Sequence, residues 1–177
     1  SATTLHLQVL RTAKQQSQLE FYGMSLESET GQGLVYHSLG VGGAPYTSLL
    51  KELLLDSQLP TLQPDLVILD FGTNDFLYDQ RIPGSLDRDI IQTIRWIRQL
   101  VPDVTILLTS TQDMDRHGNN IAAASDFSAM IRRIARTEGC ALYDWYRISG
   151  GQYSMSKWVE DRLARPDHIH LTLDGYT

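Results

Sequence analysis

The chain has a single cysteine among 177 residues, so it has no internal disulfide to rely on. That residue, Cys140, sits in Gly-Cys-Ala-Leu-Tyr, an apolar strand context, and reads as a small buried hydrophobe. The redox compartment stays open. Basic residues are also scarce: 15 Lys and Arg against 21 Asp and Glu leave a net charge of −6. Without a basic footprint, nucleic acid is excluded as a partner. No apolar run approaches the roughly 20 residues of a membrane span. No signal peptide is visible, but the sequence opens at Ser1 without an initiator Met, so that absence excludes nothing. Repeats and low-complexity tracts are missing too. What is present, 42% hydrophobic and 20% charged residues, is the composition of a globular domain with room for a small appendage.

Two textures divide the chain. Over residues 1–28, Leu5, Leu7 and Val9 alternate with His6, Gln8 and Leu10, and Leu19 and Phe21 alternate after a polar loop. Period-two patterning of this kind predicts antiparallel strands with one wet face. From Gly33 onward the pattern changes. Leu66–Leu69 and Val104–Leu108 are short, unbroken apolar runs, as parallel strands buried on both faces require. Between them Leu86, Ile90, Ile94, Ile97 and Val101 form a helical stripe that opens at Pro83-Gly84-Ser85 and ends at Pro102. A second helix is predicted over Ile121–Glu138, with Phe127, Ile131 and Ile134 inward and Gly139 as its stop. Ala141-Leu142-Tyr143 reads as a further strand. Strands alternating with helices of this length predict a parallel sheet of βαβ units.

Three segments carry chemistry, each at the carboxyl end of a predicted strand, where open α/β sheets bind ligands. The first, Ser38-Leu-Gly-Val-Gly-Gly-Ala44, follows Val35-Tyr36. Its glycines allow close backbone approach and an N–H aimed at a ligand, although strand-to-helix turns are commonly glycine-rich. The second is Phe71-Gly72-Thr73-Asn74-Asp75, which reads either as an Asx-type turn or as a loop aiming the Asn74 amide at a developing oxyanion. The third is Pro166-Asp167-His168-Ile169-His170. An Asp three residues before a His in a tight loop accepts from the ring Nδ1–H, fixes the tautomer and leaves Nε2 as a general base. Two neighbouring histidines also suit a polar loop or a surface metal site. A metal needs further ligands, and His6, His37 and His117 stand in unrelated contexts, so no zinc is expected.

The order of these segments, a Gly-rich turn, Gly-x-Asn-Asp, then Asp-x-x-His near the C-terminus, resembles the SGNH (GDSL-type) hydrolase family over roughly residues 33–177. Gly43 matches the family's block-two glycine, Asn74 the block-three asparagine, and Asp167 and His170 the last block. The resemblance implies a three-layer α/β/α sandwich with a flavodoxin-like parallel sheet. It also implies a serine esterase without metal or cofactor, with Gly43 and Asn74 as oxyanion hole, His170 as base and Asp167 as its orienting partner. Tyr143-Asp-Trp-Tyr146, Gly150-Gly151 and Ser154-Met-Ser-Lys-Trp158 look like the branch holding peptidoglycan O-acetylesterase-type enzymes and GDSL-like lipases. That likeness implies a carbohydrate or other small-molecule ester as substrate and a periplasmic or extracellular location.

One part of the pattern is missing. No Gly-Asp-Ser occurs anywhere in the sequence. A first strand at Thr4–Leu10, with Arg11-Thr12-Ala13 replacing the motif, would make the protein a decayed scaffold that binds carbohydrate or assembles without catalysis. Leu5, Leu7 and Val9 alternate, however, where a central strand reads as continuous apolar sequence. The related branch offers another account: a β-rich, carbohydrate-binding-like module inserted between blocks one and two. Residues 1–28 then look like the end of that insert and 29–177 like the hydrolase domain without its first strand and last helix. On this expectation the nucleophilic serine lies in a missing N-terminal segment of the same gene product. Ser38 and Ser110 lack the sharp strand-to-helix turn a nucleophile occupies. Asp75 is expected to hold its loop as a hydrogen-bond acceptor, and Trp145, Tyr146, Tyr153 and Trp158 to pack as core or wall. A lipase or thioesterase with the same machinery is the nearer alternative.

Overall fold

A computed structural model of the chain describes residue 4, residues 6–19 and residues 32–177. Two compact units separate, Ser1–Ser38 and Leu39–Thr177. In the first, residues 6–19 form no strand; they hold a turn in which Gln16 caps the amides of Thr12 and Ala13 through its side-chain oxygen. Leu7, Val9 and Leu10 are exposed. Leu5, Phe21 and the Tyr22–Leu26 lead lie outside the described residues. The strand predicted at Val35-Tyr36 is absent as well, and both side chains are exposed. The physical reason is shared: alternation or apolarity favours a strand only where a neighbour takes up its N–H and C=O groups, and none does so here among the described residues.

In the second unit the predicted βαβ order is realised. Helices α1 (Tyr46–Leu49) and α2 (Leu55–Leu62) precede strand β1 (Leu66–Leu69), which is followed by the single turn α3 (Thr73–Phe76). Helix α4 (Leu86–Leu100) leads to β2 (Thr105–Thr109), and a hairpin of β3 (Asp115–Arg116) and β4 (Asn119–Asn120) leads to α5 (Ala123–Glu138). Strand β5 (Ala141–Tyr143), short helices α6 (Trp145–Ile148) and α7 (Ser154–Glu160), and a final 3₁₀ turn (Asp174–Tyr176) complete the chain order. The sheet is parallel, ordered β1-β2-β5, with Leu69 beside Leu108 and Thr109 beside Tyr143. Its three carboxyl ends therefore open onto one edge, and the loops that leave them share that edge.

Local chemistry explains the two long helices. Ile90, Ile94 and Ile97 of α4 are buried on one stripe, with Asp87 and Asp89 in the first turn and Arg98 in the last, matching the helix dipole. In α5 the buried set is Phe127, Ile131 and Ile134, and Gly139 stops the helix at φ +63° while Cys140 N–H donates back to Ala135 O at 2.8 Å. The two helices pack together and against one face of the sheet, enclosing Leu69, Ile106 and Leu108. Cys140 is half-buried rather than buried. Side chains that alternate to the other face of β1, Leu66 and Ile68, are 48% and 47% exposed. That is unusual for a parallel strand, which is ordinarily covered on both sides.

Candidate active site

The carboxyl end of β1 is tied to its neighbour before the functional loop begins: Thr109 Oγ1 donates to Asp70 Oδ1 at 2.5 Å. Two residues later the chain turns at Gly72, φ +122°, directly over the ring of the fully buried Phe127. Only glycine fits this turn, because its backbone is in a left-handed region and a Cβ would overlap the ring. The turn delivers Asn74 to the surface and Asp75 inward, with Asp75 N–H donating to Gly72 O at 2.9 Å. Asp75 then accepts the Tyr46 backbone N–H on both oxygens, at 3.1 and 3.2 Å. It holds the loop as an acceptor, as expected. Burial pushes its carboxyl up to about 6, against the Tyr46 amide that lowers it, with the charge of Asp89 adding to the rise.

That bond to Tyr46 brings the glycine turn alongside. Val41–Ala44 closes through Ala44 N–H to Val41 O at 3.2 Å, with Gly43 at φ +83°, the glycine position of a type II turn. Asn74 Nδ2 reaches Ala44 O at 3.4 Å, a long contact that leaves the amide easily redirected. Gly43 and Asn74 are therefore neighbours.

The third segment is clamped onto the loop after β2. Gln112 Nε2 donates to Ile169 O at 2.7 Å, and Asp115 N–H donates to His168 O at 3.1 Å. His168 adopts φ +59° and sets its Nδ1 3.4 Å from Asp115 Oδ2. On this platform Asp167 faces His170: Oδ2 lies 2.9 Å from the ring Nδ1, and Oδ1 accepts the backbone N–H of Ile169 and of His170, each at 2.9 Å. Partial burial raises the Asp167 carboxyl. The His170 amide, the His170 ring, the Ile169 amide and the imidazole charge outweigh it and hold the group at about 2. An ionised Asp167 on Nδ1 directs the tautomer so that Nε2 is the nitrogen open to a reacting proton. The loop is braced from below by Leu171 and Ala164, which pack with Met155, Trp145 and Trp158 in a small second core. Trp145 and Trp158 stand edge to face, 6.1 Å apart, so these aromatics pack as wall.

Asp167 and His170 line an open hollow of about 580 Å³ whose other walls are Leu77 and Tyr78, just beyond α3, and the hairpin residues Asp115–Gly118. Asn74 sits on the turn preceding Leu77, at the same edge of the sheet, but is not a lining residue of that hollow. A larger open groove of about 710 Å³, beside Arg88 and Trp96 of α4, contains none of the candidate residues. Ser110 is buried, donating to Asp144 Oδ1 at 3.0 Å and accepting Tyr146 N–H at 3.0 Å, which makes it a strut. Among the described residues no three His, Cys, Asp or Glu side chains are grouped to hold a metal. No helix there is long and apolar enough to cross a membrane.

The supports of the His170 loop escaped the sequence reading. Asn120 Nδ2 bridges Asp113 Oδ1 and Asp115 Oδ1 at 2.8 and 3.0 Å, Met155 N–H donates to Asp113 Oδ2 at 3.2 Å, and Ser156 Oγ donates to Asp115 Oδ2 at 3.1 Å. A signal existed: Gln112 to Arg116 lies at the carboxyl end of a parallel strand, where ligand loops gather. His117-Gly118, at φ +53° and +77°, is a two-residue hairpin turn of the type that needs left-handed residues.

A family model described as GDSL-like Lipase/Acylhydrolase matches residues 11–177. No curated protein matches the chain. Among solved structures, a peptidoglycan O-acetylesterase shares 26% identity at TM-score 0.68, over 76% of this chain and 40% of its own. A lipase/acylhydrolase from Enterococcus faecalis shares 19% at TM-score 0.58, over 76% and 65% of the two chains. A carbohydrate esterase family 3 protein from Talaromyces cellulolyticus shares 17% at 0.57, over 75% and 61%. The chain thus spans less than two thirds of the length of each of these structures.

Proposed function

The chain belongs to the GDSL-like lipase/acylhydrolase family, and on that premise we propose that it supplies the acid–base and oxyanion parts of a serine esterase acting on O-acyl, chiefly O-acetyl, groups of carbohydrates. The observation that carries this reading is the Asp167–His170 pair. One carboxylate grips the imidazole Nδ1 at 2.9 Å and the two adjoining amides at the same distance. Such a clamp leaves Nε2 free for proton transfer.

In the proposed reaction a serine hydroxyl attacks the ester carbonyl while His170 Nε2 takes its proton. Asn74 Nδ2 and the Gly43 N–H donate to the oxyanion of the tetrahedral intermediate. Collapse breaks the bond to the alcohol oxygen, which receives the proton from His170, and water then releases the acyl group by the same steps in reverse. Asp167 stays ionised and stabilises the imidazolium. The serine is assigned to a segment of the same gene product outside residues 1–177, seated as a further strand beside β1. The absence of Gly-Asp-Ser and the position of β1 at the edge of the three-stranded sheet, with a strand on one side only among the described residues, support that assignment. Residues 29–177 are the hydrolase portion on this reading, and 1–28 the end of an appended module. The acetyl preference rests on the peptidoglycan O-acetylesterase likeness, which covers 40% of that chain.

Asn74→Ala tests the oxyanion role. In the complete gene product it lowers kcat for 4-nitrophenyl acetate by about 10²–10³-fold with KM little changed, as loss of one oxyanion donor does. A kcat within threefold of wild type removes Asn74 from the mechanism.

A further inference from the structure

The hollow that holds His170 contains a cation, Arg116, that meets no counter-ion among the described residues. Arg116, on the first arm of the β3–β4 hairpin, lines it together with Tyr78. Its Nη1 donates to the carbonyls of Leu77 and Tyr78, at 3.2 Å each, and its guanidinium lies 4.6 Å from the centre of the Tyr78 ring. Two carbonyls and a π-face therefore fix the guanidinium plane. The remaining donors, Nε–H and the two Nη2–H, form the edge that pairs with carboxylates in a bidentate fork, and they meet no acceptor among the described residues.

Both carboxylates of the hollow are already committed. Asp115 takes the Asn120 amide on one oxygen and the Ser156 hydroxyl on the other, with His168 Nδ1 3.4 Å away. Asp167 is filled by the His170 ring and the amides of Ile169 and His170. Neither pairs with Arg116. An arginine that serves only to tie down the Leu77 and Tyr78 carbonyls has no use for a fork held open toward the hollow that His170 lines. A volume of about 580 Å³ is within the roughly 300–1,000 Å³ of small-molecule sites.

We infer that Arg116 is a specificity-determining residue that binds a carboxylate of the substrate, so that the site prefers sugars carrying an acidic group to neutral ones. The sugar-ester context rests on the esterase reading above; the carboxylate preference rests on Arg116 alone. Because the guanidinium is fixed before the ligand arrives, little ordering cost opposes binding.

The test separates the two. Methyl β-D-glucuronide and methyl β-D-glucoside, which differ in the carboxylate, are titrated calorimetrically into the complete gene product. The glucuronide is expected to bind at least tenfold tighter. In Arg116→Gln the preference falls to near parity, and in Arg116→Lys, which keeps the charge but loses the fork, to an intermediate value. Equal affinities in the wild type, no binding of either sugar, or a preference that survives Arg116→Gln overturns the inference. The wild-type comparison stands even if a variant fails to fold. Hydrolysis of the mono-O-acetylated pair is read separately. Arg116-dependent glucuronide binding with neither ester cleaved upholds the carboxylate site and removes the esterase reading. Cleavage of both esters at equal kcat/KM, with equal sugar affinities, keeps the esterase and removes the carboxylate site.

Discussion

His170→Ala in the complete gene product lowers kcat/KM for 4-nitrophenyl acetate by about 10³-fold or more. Positioned general acid–base catalysis contributes roughly 10²–10⁴-fold, and here one imidazole serves twice, as base toward the serine and as acid toward the leaving alcohol. The fold does not share in the loss. The His170 side chain is 62% exposed, and surface substitutions ordinarily change stability by no more than about 0.5 kcal/mol. The loop keeps its other anchors, Gln112 to Ile169 O and Asp115 N–H to His168 O. Thermal melting therefore stays within a few degrees of wild type while turnover collapses. Activity that survives the substitution within a few-fold means that His170 is not the base.

Gly72→Ala has the largest expected effect on the fold. A Cβ at this position stands 2.4 and 2.5 Å from two ring carbons of Phe127, and Phe127 is fully buried in the main core beside Phe76, 5.4 Å away. The ring, fully enclosed by the core, yields only by displacing its neighbours. Overpacking of this kind costs about 1–3 kcal/mol, and a side chain forced to φ +122° adds about 1–3 kcal/mol of backbone strain. The expected loss, about 2–6 kcal/mol, is a large part of the roughly 5–15 kcal/mol that holds a domain together. At about 2–4 °C per kcal/mol, Tm falls by on the order of 10 °C. Differential scanning calorimetry of the variant checks this. Gly72→Ala/Phe127→Leu recovers the clash portion and leaves the strain, so the double variant melts between the two. A single variant that melts within 2 °C of wild type would show that Gly72 does not need its left-handed turn.

These two positions also mark what the sequence made legible. The apolar runs at Leu66–Leu69 and Val104–Leu108, the Ile90-Ile94-Ile97 stripe and Gly139 read directly as sheet and helices, because each signal is local: a short unbroken apolar run, a 3.6-residue period, a left-handed stop. The burial on both faces expected of β1 is not met, since Leu66 and Ile68 stay half exposed. Asp167 and His170 were legible for the same reason, being three residues apart in one loop. The placing of the Gly43 turn beside Asn74 was readable only through the order of blocks, since the contact of Asn74 with Ala44, thirty residues away, leaves no periodic trace. The props of the His170 loop, Gln112, Asp113, Asp115 and Asn120, stayed hidden because polar networks carry no pattern until the backbone is folded. Leu7 and Val9 misled in the opposite direction. Alternation marks a segment able to line a sheet, but a strand forms only where another chain segment completes its hydrogen bonds.

Covalent trapping locates the nucleophilic serine directly. The complete gene product is incubated with a fluorophosphonate and the adduct located by peptide mass spectrometry. A single phosphonylated serine outside residues 1–177, formed at a rate that falls at least a hundredfold in His170→Ala, is the predicted result. Labelling of Ser38, Ser110 or any other serine within this chain, or rapid ester hydrolysis with no labelled serine at all, contradicts it.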